Sequence, residues 1–357
     1  MLDVNTAPDN PMINVRSYSS DPHTVALFGA AFIRGAAAGG ALTTAKHFPG
    51  HGDTRVDSNV GMPVLNSEGD VIRRRELVPF RAAIQEGVHA VMLGHIAAPA
   101  LTGGFTNPAT LAPQIGVDML RGELGFDGLV VTDMMTKGAL RHVAGYSPGE
   151  LVVRAVEAGA DVVLAPPDPL LAHRSLVAAV RSGRIHYTRI DSSVVRVLRA
   201  KARVGLHQLR TVPLDSVPRI VGAPEHELIA TAIAERSLTL ARDSARLLPL
   251  DPRRVRSLTV VAFTTADDVT AGSAFVAELE RIYGRGVAFF RVDEHTAEAV
   301  HDSAVAHASR SDATVLATYG MPRPGQSLIT PGSARRLAQR LHGATRRMVV
   351  VSFGEPY

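Results

Sequence analysis

The chain has 357 residues, of which 46% are hydrophobic and 20% charged, and its formal net charge is +4 at pH 7. This length and hydrophobic fraction predict a globular protein with one barrel-sized domain and a smaller one. The absence of cysteine excludes disulfides, thiolate catalysis and cysteine-ligated zinc. The basic clusters at 73–75 and 253–256 are short and carry no interleaved aromatic residues, so we expect no nucleic-acid partner.

The sequence also limits location and cofactors. Its first residues lack the basic region and apolar core of a signal peptide, and no apolar run reaches the roughly 18 residues of a membrane helix. We expect no membrane span and a cytoplasmic location for the chain as it stands, or a periplasmic or secreted one if an upstream segment is missing. No cofactor is expected, because glycine-rich phosphate and dinucleotide motifs are absent. Oligomeric state is not indicated.

Apolar runs alternate with amphipathic segments through the first 210 residues. Expected strands lie at 41–44, 90–93, 129–132 and 161–164, and expected helices at 24–37, 72–86, 150–158 and 190–204. Strands that alternate with helices predict a parallel sheet with the helices outside it. Counted from Leu2, about five segments are candidate strands.

The rest of the chain repeats this alternation on a smaller scale. Pro213 and Pro218 are expected to block regular structure in a linker at 211–224. Expected helices follow at 225–242, 274–282 and 333–341, and expected strands at 257–263, 287–292, 313–319 and 348–353. This pattern predicts a second, smaller α/β layered domain over 225–357.

The run from Lys46 to Thr54 crowds ionisable groups at the end of an apolar strand. Pro49 and Gly50 cannot continue a helix, so we expect a loop that leaves the strand after Thr44. Polar loops after buried strands are where barrel enzymes place their chemistry. Asp133 ends another apolar run, and its position alone fits a catalytic carboxylate or a helix cap equally well.

These motifs together resemble a known family. The run KHFPGHG at 46–52, Asp57-Ser58 after it, GFDGLVVTD at 125–133 and Ala158–Asp161 are similar to the glycoside hydrolase family 3 N-acetylglucosaminidases of the peptidoglycan-recycling type. The resemblance implies an α/β fold with a TIM-type (β/α)8 barrel over 1–210. Segments matching the family's first barrel strands are absent, so we expect an N-terminally incomplete barrel. We likewise expect the family's C-terminal domain, over 225–357, to be truncated.

The resemblance also implies roles for single residues. Asp133 matches the nucleophile, and Arg16, Lys46 and His47 match residues that hold the sugar. Asp57 matches the aspartate that orients a catalytic histidine.

Asn59 stands where the family has that histidine, and an amide cannot transfer a proton. Asp57, His51 or Asp53 is a possible substitute. Alternatively, Asp57 is a turn aspartate that bonds its own backbone, His51 braces its loop, and Arg16 forms a salt bridge with Asp21 or Asp3.

Several polar residues have competing interpretations. His47, His51, Asp53 and Asp57 lie within eleven residues, but Pro49-Gly50 prevents two histidines from sharing a helical face, so we expect no metal site. His95 either lines the pocket or is a satisfied residue at the edge of the core. Asp168 either reaches the sugar or caps the next helix.

The expected function is a retaining exo-glycosidase acting on terminal β-linked N-acetylglucosamine of peptidoglycan- or chitin-derived carbohydrates, through a glycosyl-Asp133 intermediate. One alternative is a catalytically impaired homologue that binds amino sugars. Another is a β-glucosidase-type or phosphorylase-type relative. Replacing Asn59 with histidine distinguishes the first two, since it restores a proton donor only if one has been lost.

Overall fold

A computed structural model of the chain describes residues 1–141, 143, 145–320 and 332–354. These residues divide into two compact units, Met1–Arg210 and the described residues from Thr211 onward. Positions 321–331 and 355–357 of the expected domain at 225–357 lie outside the described residues.

The first unit is built on parallel strands. Its strands β1 (Thr44–Phe48), β2 (Ala90–Leu93) and β3 (Leu129–Thr132) are hydrogen-bonded in that order. Two further segments extend the sheet at its edges. The amide of Leu2 donates to the carbonyl of Lys46 beside β1, and Val162 forms a parallel bridge with Val131 of β3.

Helices surround this arc of strands. The α-helices of the first unit are α1 (Pro22–Ala38), α2 (Gly69–Arg74), α3 (Leu77–Gln85), α4 (Pro99–Thr102), α5 (Gly138–Arg141), α6 (Pro148–Glu157), α7 (Pro169–Arg181) and α8 (Tyr187–Arg203). Short 3-10 helices lie at Asn14–Arg16 and Ala109–Leu111, and a π-helix at Gln114–Glu123. The α/β class is confirmed, and the first unit has the strand-and-helix arrangement of a TIM-type barrel.

Side-chain caps fix where three of these helices begin. Asp21, Ser147 and Asp168 accept hydrogen bonds from the backbone of the third residue after them, and a proline follows each cap directly. Asp168 is therefore the cap of α7, which answers one of the alternatives posed by the sequence.

Two elements differ from expectation for reasons of backbone chemistry. The expected helix 72–86 is two helices, α2 and α3, because Pro79 is tolerated only in the first turn of a helix and so requires a new start. The expected strand 161–164 is wrong, since only Val162 forms a bridge there. Neighbouring contacts are irregular: the Leu164 amide donates to the side chain of Thr132 rather than to a backbone carbonyl.

The core of the first unit lies between the strands and the surrounding helices. Phe48 of β1 and Phe80 of α3 meet edge to face with ring centroids 5.1 Å apart, and both are fully buried. Val91, Leu93 and Val130 from β2 and β3 are also fully buried. This packing holds the strand ends, and the loops that follow them, in fixed positions.

The second unit is a four-stranded parallel sheet with helices. The strands β4 (Leu258–Phe263), β5 (Val287–Val292), β6 (Ala313–Thr318) and β7 (Met348–Ser352) are ordered β5-β4-β6-β7. The helices are α9 (Val217–Ile220), α10 (Pro224–Ser237), α11 (Ser273–Tyr283), α12 (Glu298–Ala308) and α13 (Gly332–Ala344), with 3-10 turns at Leu214–Ser216 and Gly284–Gly286. The strands begin and end within one residue of the expected bounds.

The segment expected as an irregular linker contains a 3-10 turn and the short helix α9. That expectation is wrong because Pro218 lies in the first turn of α9, where its missing N–H has no intrahelical partner to lose. Among the described helices, none is both long enough and apolar enough to cross a membrane.

Candidate active site

Strand β1 runs from Thr44 to Phe48, so the expected strand at 41–44 is wrong for all but its last residue. Lys46, His47 and Phe48 belong to the strand and not to the loop, which begins at Pro49. The peptide bonds Lys46–His47 and Phe48–Pro49 are cis, and the pairing with β2 changes register between Ala45 and Phe48. Lys46 is half-buried and His47 is only 2% exposed.

Asp3 fixes the orientation of the histidines that follow. Its carboxylate accepts hydrogen bonds from the His47 amide at 3.1 Å, from His47 Nδ1 at 3.0 Å and from the His51 amide at 2.8 Å. Burial alone would raise the pKa of Asp3, but the charge and hydrogen bonds of His47 outweigh it and hold the pKa at about 2. Asp3 is therefore an ionised anchor for β1 and the loop after it.

His51 and Asp53 each make side-chain hydrogen bonds near this loop, although in the part of the chain that the structure describes His51 Nε2 has no hydrogen-bond partner. His51 is 1% exposed, its Nδ1 lies 2.5 Å from Thr54 Oγ1, and burial lowers its pKa to about 4, so the ring is neutral. Asp53 accepts hydrogen bonds from the side chains of Thr6, Ser67 and Arg75. Within the described residues neither side chain hydrogen-bonds to Asp133, and a loop-bracing role for His51 agrees with its contacts.

Asp57 and Asn59 contact each other directly. Asp57 Oδ1 accepts from the Asn59 amide at 2.7 Å and from Asn59 Nδ2 at 2.8 Å. Asp57 thus closes a turn with its own oxygen, as the structural alternative predicted, and at the same time orients the side chain of Asn59. Asn59 Nδ2 also lies 3.6 Å from Met12 Sδ.

Asp133 follows β3 directly and is 4% exposed. Its Oδ1 accepts from the neighbouring amide of Met134 at 2.7 Å, and its Oδ2 accepts from Lys137 Nζ at 2.8 Å. Among the described residues Asp133 makes no helix-capping hydrogen bond, so the helix-cap interpretation is wrong. Burial alone would raise the pKa of Asp133, but the electrostatic interaction with His47 and the ion pair with Lys137 outweigh it, and the net effect lowers the pKa.

His95 supports the turn that carries Asp133. It is fully buried, its Nε2 donates to the Met134 carbonyl at 2.9 Å, and its Nδ1 lies 2.8 Å from Thr110 Oγ1. Burial lowers the pKa of His95 to about 4. His95 is therefore a neutral, satisfied residue that holds the backbone next to Asp133.

Arg16 and Lys46 lie on the side of the site formed by the first residues. Arg16 is exposed and its guanidinium donates to the Met12 carbonyl at 2.7 Å. Burial, followed by the charges of Lys46 and Arg16, lowers the pKa of the Met1 amino group. Both cations are thus close to the same amino group, and in the described residues Arg16 makes no salt bridge with Asp21 or Asp3.

The structure places Lys137, which the sequence reasoning did not single out, next to the expected nucleophile. Lys137 is 9% exposed in its side chain and pairs with Asp133 four residues earlier. The chain contains only three lysines, Lys46, Lys137 and Lys201. That scarcity, combined with a position shortly after Asp133, was a usable signal.

A cavity of about 320 Å³ opens beside this site. Its lining is mainly apolar and comes from the loops after β3 and after Val162, with Met135, Tyr146 and Pro167 among the lining residues. The guanidinium of Arg154 covers the Tyr146 ring, 4.0 Å from its centroid. Loops at the carboxyl ends of parallel strands thus supply both the ionisable groups and an apolar wall.

Within the described part of the chain, no group of three or more His, Asp or Glu side chains could hold a metal ion. The four loop residues weighed as ligands are instead bonded to protein groups, as His51 is to Thr54 and Asp53 to Arg75.

Comparisons with known proteins agree on one family. Residues 1–200 match the sequence profile of the glycosyl hydrolase family 3 N-terminal domain. The chain is 30% identical over 272 residues to beta-hexosaminidase A of Pseudoalteromonas piscicida, and 33% identical over 262 residues to a beta-N-acetylglucosaminidase/beta-glucosidase of Cellulomonas fimi. These alignments cover 70% and 71% of the chain but 44% and 46% of the relatives. The chain therefore spans less than half the length of these two relatives.

A solved structure is also similar. The glycoside hydrolase family 3 beta-N-acetylglucosaminidase from Paenibacillus sp. str. FPU-7 superimposes with a TM-score of 0.84 at 32% identity. The match covers 99% of this chain and 66% of that one.

Proposed function

The chain belongs to glycosyl hydrolase family 3, and on that premise we propose that it is a retaining exo-glycosidase that removes terminal β-linked N-acetylglucosamine from peptidoglycan- or chitin-derived carbohydrates. The observation that carries the proposal is the buried, ionised carboxylate of Asp133 at the carboxyl end of β3. The amino-sugar class is supported by the names of the relatives in Pseudoalteromonas piscicida and Cellulomonas fimi.

Asp133 has the properties that a glycosidase nucleophile needs. Its pKa lies below the usual value, so the carboxylate is ionised at neutral pH and ready to attack the anomeric carbon. The first step forms a bond between a carboxylate oxygen and C1 with departure of the leaving group, and water then releases the sugar. His95 and the Met134 amide hold this carboxylate in place, so little reorganisation is required.

Lys46, His47 and Arg16 are proposed to hold the sugar. All three are cationic or polar groups; Lys46 and His47 belong to β1, and His47 is fixed there by Asp3. A buried imidazole needs polar partners, and sugar hydroxyls would supply them to its remaining nitrogen.

The domain assignment is part of the same proposal. We assign 1–210 to the barrel domain, 211–224 to the linker and 225–357 to the C-terminal α/β domain. The separation of the described residues into compact units at Arg210 and Thr211 supports the first boundary.

Asn59 favours one alternative function, a homologue that binds amino sugars with weak turnover. Its amide is held by Asp57 and cannot donate a proton to a leaving group. In that case the nucleophile would still react with a substrate whose leaving group needs no protonation. A single experiment can therefore separate nucleophile from proton donor.

The test is trapping with a 5-fluoro derivative of N-acetylglucosaminyl fluoride, followed by peptide mass spectrometry. Fluoride departs without a proton, so the label depends on the nucleophile alone. We expect one sugar per chain, attached to Asp133. A label on another residue would remove Asp133 from the mechanism.

Two variants complete the test. Asp133→Asn should lose both the label and turnover while circular dichroism shows an intact fold. Asp118→Asn is the matched control, because Asp118 is an exposed aspartate of the same unit, and it should label at the wild-type rate. Turnover that persists in Asp133→Asn would contradict the proposed function.

A further inference from the structure

Lys137 lies between Asp133 and the loop that contains Asn59. Its Nζ is 2.8 Å from Asp133 Oδ2 and 3.4 Å from Ser58 Oγ. The two residues after Lys137 are fixed to the same loop, since the Gly138 amide donates to the Asn59 carbonyl and the Ala139 amide to the Ser58 carbonyl. The ammonium group is thus held at the junction of the two segments expected to carry the chemistry.

In the described part of the chain, the histidines around Asp133 and Lys137 donate no hydrogen bond to the Asp133 carboxylate. His95 is neutral and its Nε2 hydrogen is given to the Met134 carbonyl. His51 is also neutral and buried, and His47 Nδ1 donates to Asp3. Within the described residues, Lys137 is the one side chain that donates a hydrogen bond to Asp133.

We propose that Lys137 is the proton donor of the reaction, in place of the ionisable residue that position 59 lacks. This inference rests on the proposed function and adds a catalytic residue to it. Its physical basis is charge coupling. Lys137 is only 9% exposed, and Asp133 is the counter-ion that makes its burial tolerable. When Asp133 bonds to C1 its negative charge disappears, and the buried ammonium of Lys137 loses the counter-ion that it has in the free enzyme.

The proposed steps balance in protons and charge. In the first, an oxygen of Asp133 bonds to C1, the glycosidic C1–O bond breaks, and the departing oxygen takes a proton from the Lys137 ammonium, leaving an amine. In the second, the amine accepts a proton from water as the water oxygen bonds to C1. The Asp133–C1 bond breaks in that same step, and its electron pair returns to the carboxylate, which restores the original ion pair.

The geometry requires a small movement of Lys137. Acid and nucleophile in retaining enzymes are separated by about 5 Å, so Nζ must move roughly 2–3 Å from its contact with Asp133 when a sugar enters. A four-carbon side chain permits this movement, and the Ser58 hydroxyl lies within reach as an alternative hydrogen-bond acceptor.

The decisive experiment compares two substrates in the variants Lys137→Arg and Lys137→Met. One substrate is an alkyl N-acetylglucosaminide, whose leaving group needs a proton, and the other is the 2,4-dinitrophenyl glycoside, whose leaving group does not. Lys137→Arg keeps a charge beside Asp133 but does not release its proton. We expect it to lower kcat/KM by ~10²–10⁴ for the alkyl substrate and by less than ~10-fold for the dinitrophenyl substrate.

Lys137→Met should show the same difference between substrates, on top of a general decrease caused by removing the charge next to Asp133. Lys201→Met is the control, because Lys201 is exposed on α8, and it should match the wild type. Equal losses on both substrates in Lys137→Arg, or full alkyl activity in that variant, would refute the role of Lys137 as a donor. Activity in Asp133→Asn would instead contradict the proposed function, so the two failures are distinguishable.

Discussion

Glu76, between α2 and α3, is a fully buried carboxyl group with an incomplete set of partners. Arg75 Nε donates to its Oε1 at 2.6 Å, but within the described residues Oε2 has no hydrogen-bond partner. Oε2 faces Gly50 of the loop after β1, where an added Cβ would lie 2.7 Å away. Burial raises the pKa of Glu76 from 4.5 to about 7, against the opposing charge of Arg75.

This raised pKa predicts a pH-dependent loss of stability. The folded protein binds the Glu76 proton more tightly than the unfolded chain, so the contribution is complete below about pH 4.5 and is lost as the pH rises through 7. A change in pKa from 4.5 to about 7, at about 1.4 kcal/mol for each pH unit, corresponds to about 3 kcal/mol. We therefore expect the effect of Glu76→Gln on the free energy of unfolding to be more stabilising at pH 8 than at pH 4, by about 3 kcal/mol.

The assay is urea unfolding of wild type and Glu76→Gln at pH 4, 6 and 8, followed by circular dichroism because the chain has no tryptophan. The introduced amide also changes the free energy of unfolding by an amount that does not depend on pH, because its NH2 group occupies the place of Oε2. This contribution cancels when the mutational effects at two pH values are compared. Glu68→Gln is the control, since Glu68 is an exposed carboxylate of the same unit and should show no such difference. A mutational effect on unfolding free energy that is the same at pH 4 and pH 8 would refute the reasoning.

Three further predictions address the site. If Lys137 is the donor, Asn59→His alone should change kcat/KM for the alkyl glycoside by less than ~10-fold. In the Lys137→Met background the same substitution should raise kcat/KM for this substrate by at least ~10-fold. Failure to raise it would show that a histidine held by Asp57 cannot act as the proton donor. Folding lowers the pKa of Asp3 from 3.8 to about 2, so Asp3→Asn should lower the free energy of unfolding at pH 7 by at least about 2 kcal/mol. Urea titrations should show that this loss becomes smaller as the pH falls towards 2. Gly138→Ala should destabilise by about 1–3 kcal/mol and reduce turnover, because the new methyl would lie 2.3 Å from the Asn59 carbonyl, whereas Gly35→Ala, in open space on α1, should stabilise by ~0.5–1 kcal/mol.

The sequence predicted the strands of the second unit to within one residue. An apolar run such as 258–263 is buried along its whole length, so the strand begins and ends where the apolar run does. It predicted β1 less well, because Lys46 and His47 are polar and resemble loop residues. Their strand conformation depends on Asp3, which is 44 positions from His47 and leaves no local signal.

The sequence predicted the position of Asp133, but it did not predict roles that depend on contacts between segments distant in the chain. The placement of Asp133 followed from an apolar run that ends in a carboxylate. The role of Lys137 did not, because residues 134–136 form no regular helix and a spacing of four has no fixed meaning in a turn. For Asp57, the turn interpretation is confirmed, and the same oxygen also accepts from the side chain of Asn59, while a catalytic role for Asp57 stays a prediction.

The hydrogen bond from Asn59 Nδ2 to Asp57 has a consequence for how the residue at position 59 can evolve. An imidazole N–H at the same position would donate to the same carboxylate oxygen, so the supporting turn suits either side chain. Asparagine and histidine codons differ only in their first base. One nucleotide substitution therefore exchanges an amide for a titratable ring without rebuilding the loop, and lineages can cross between the two forms in either direction.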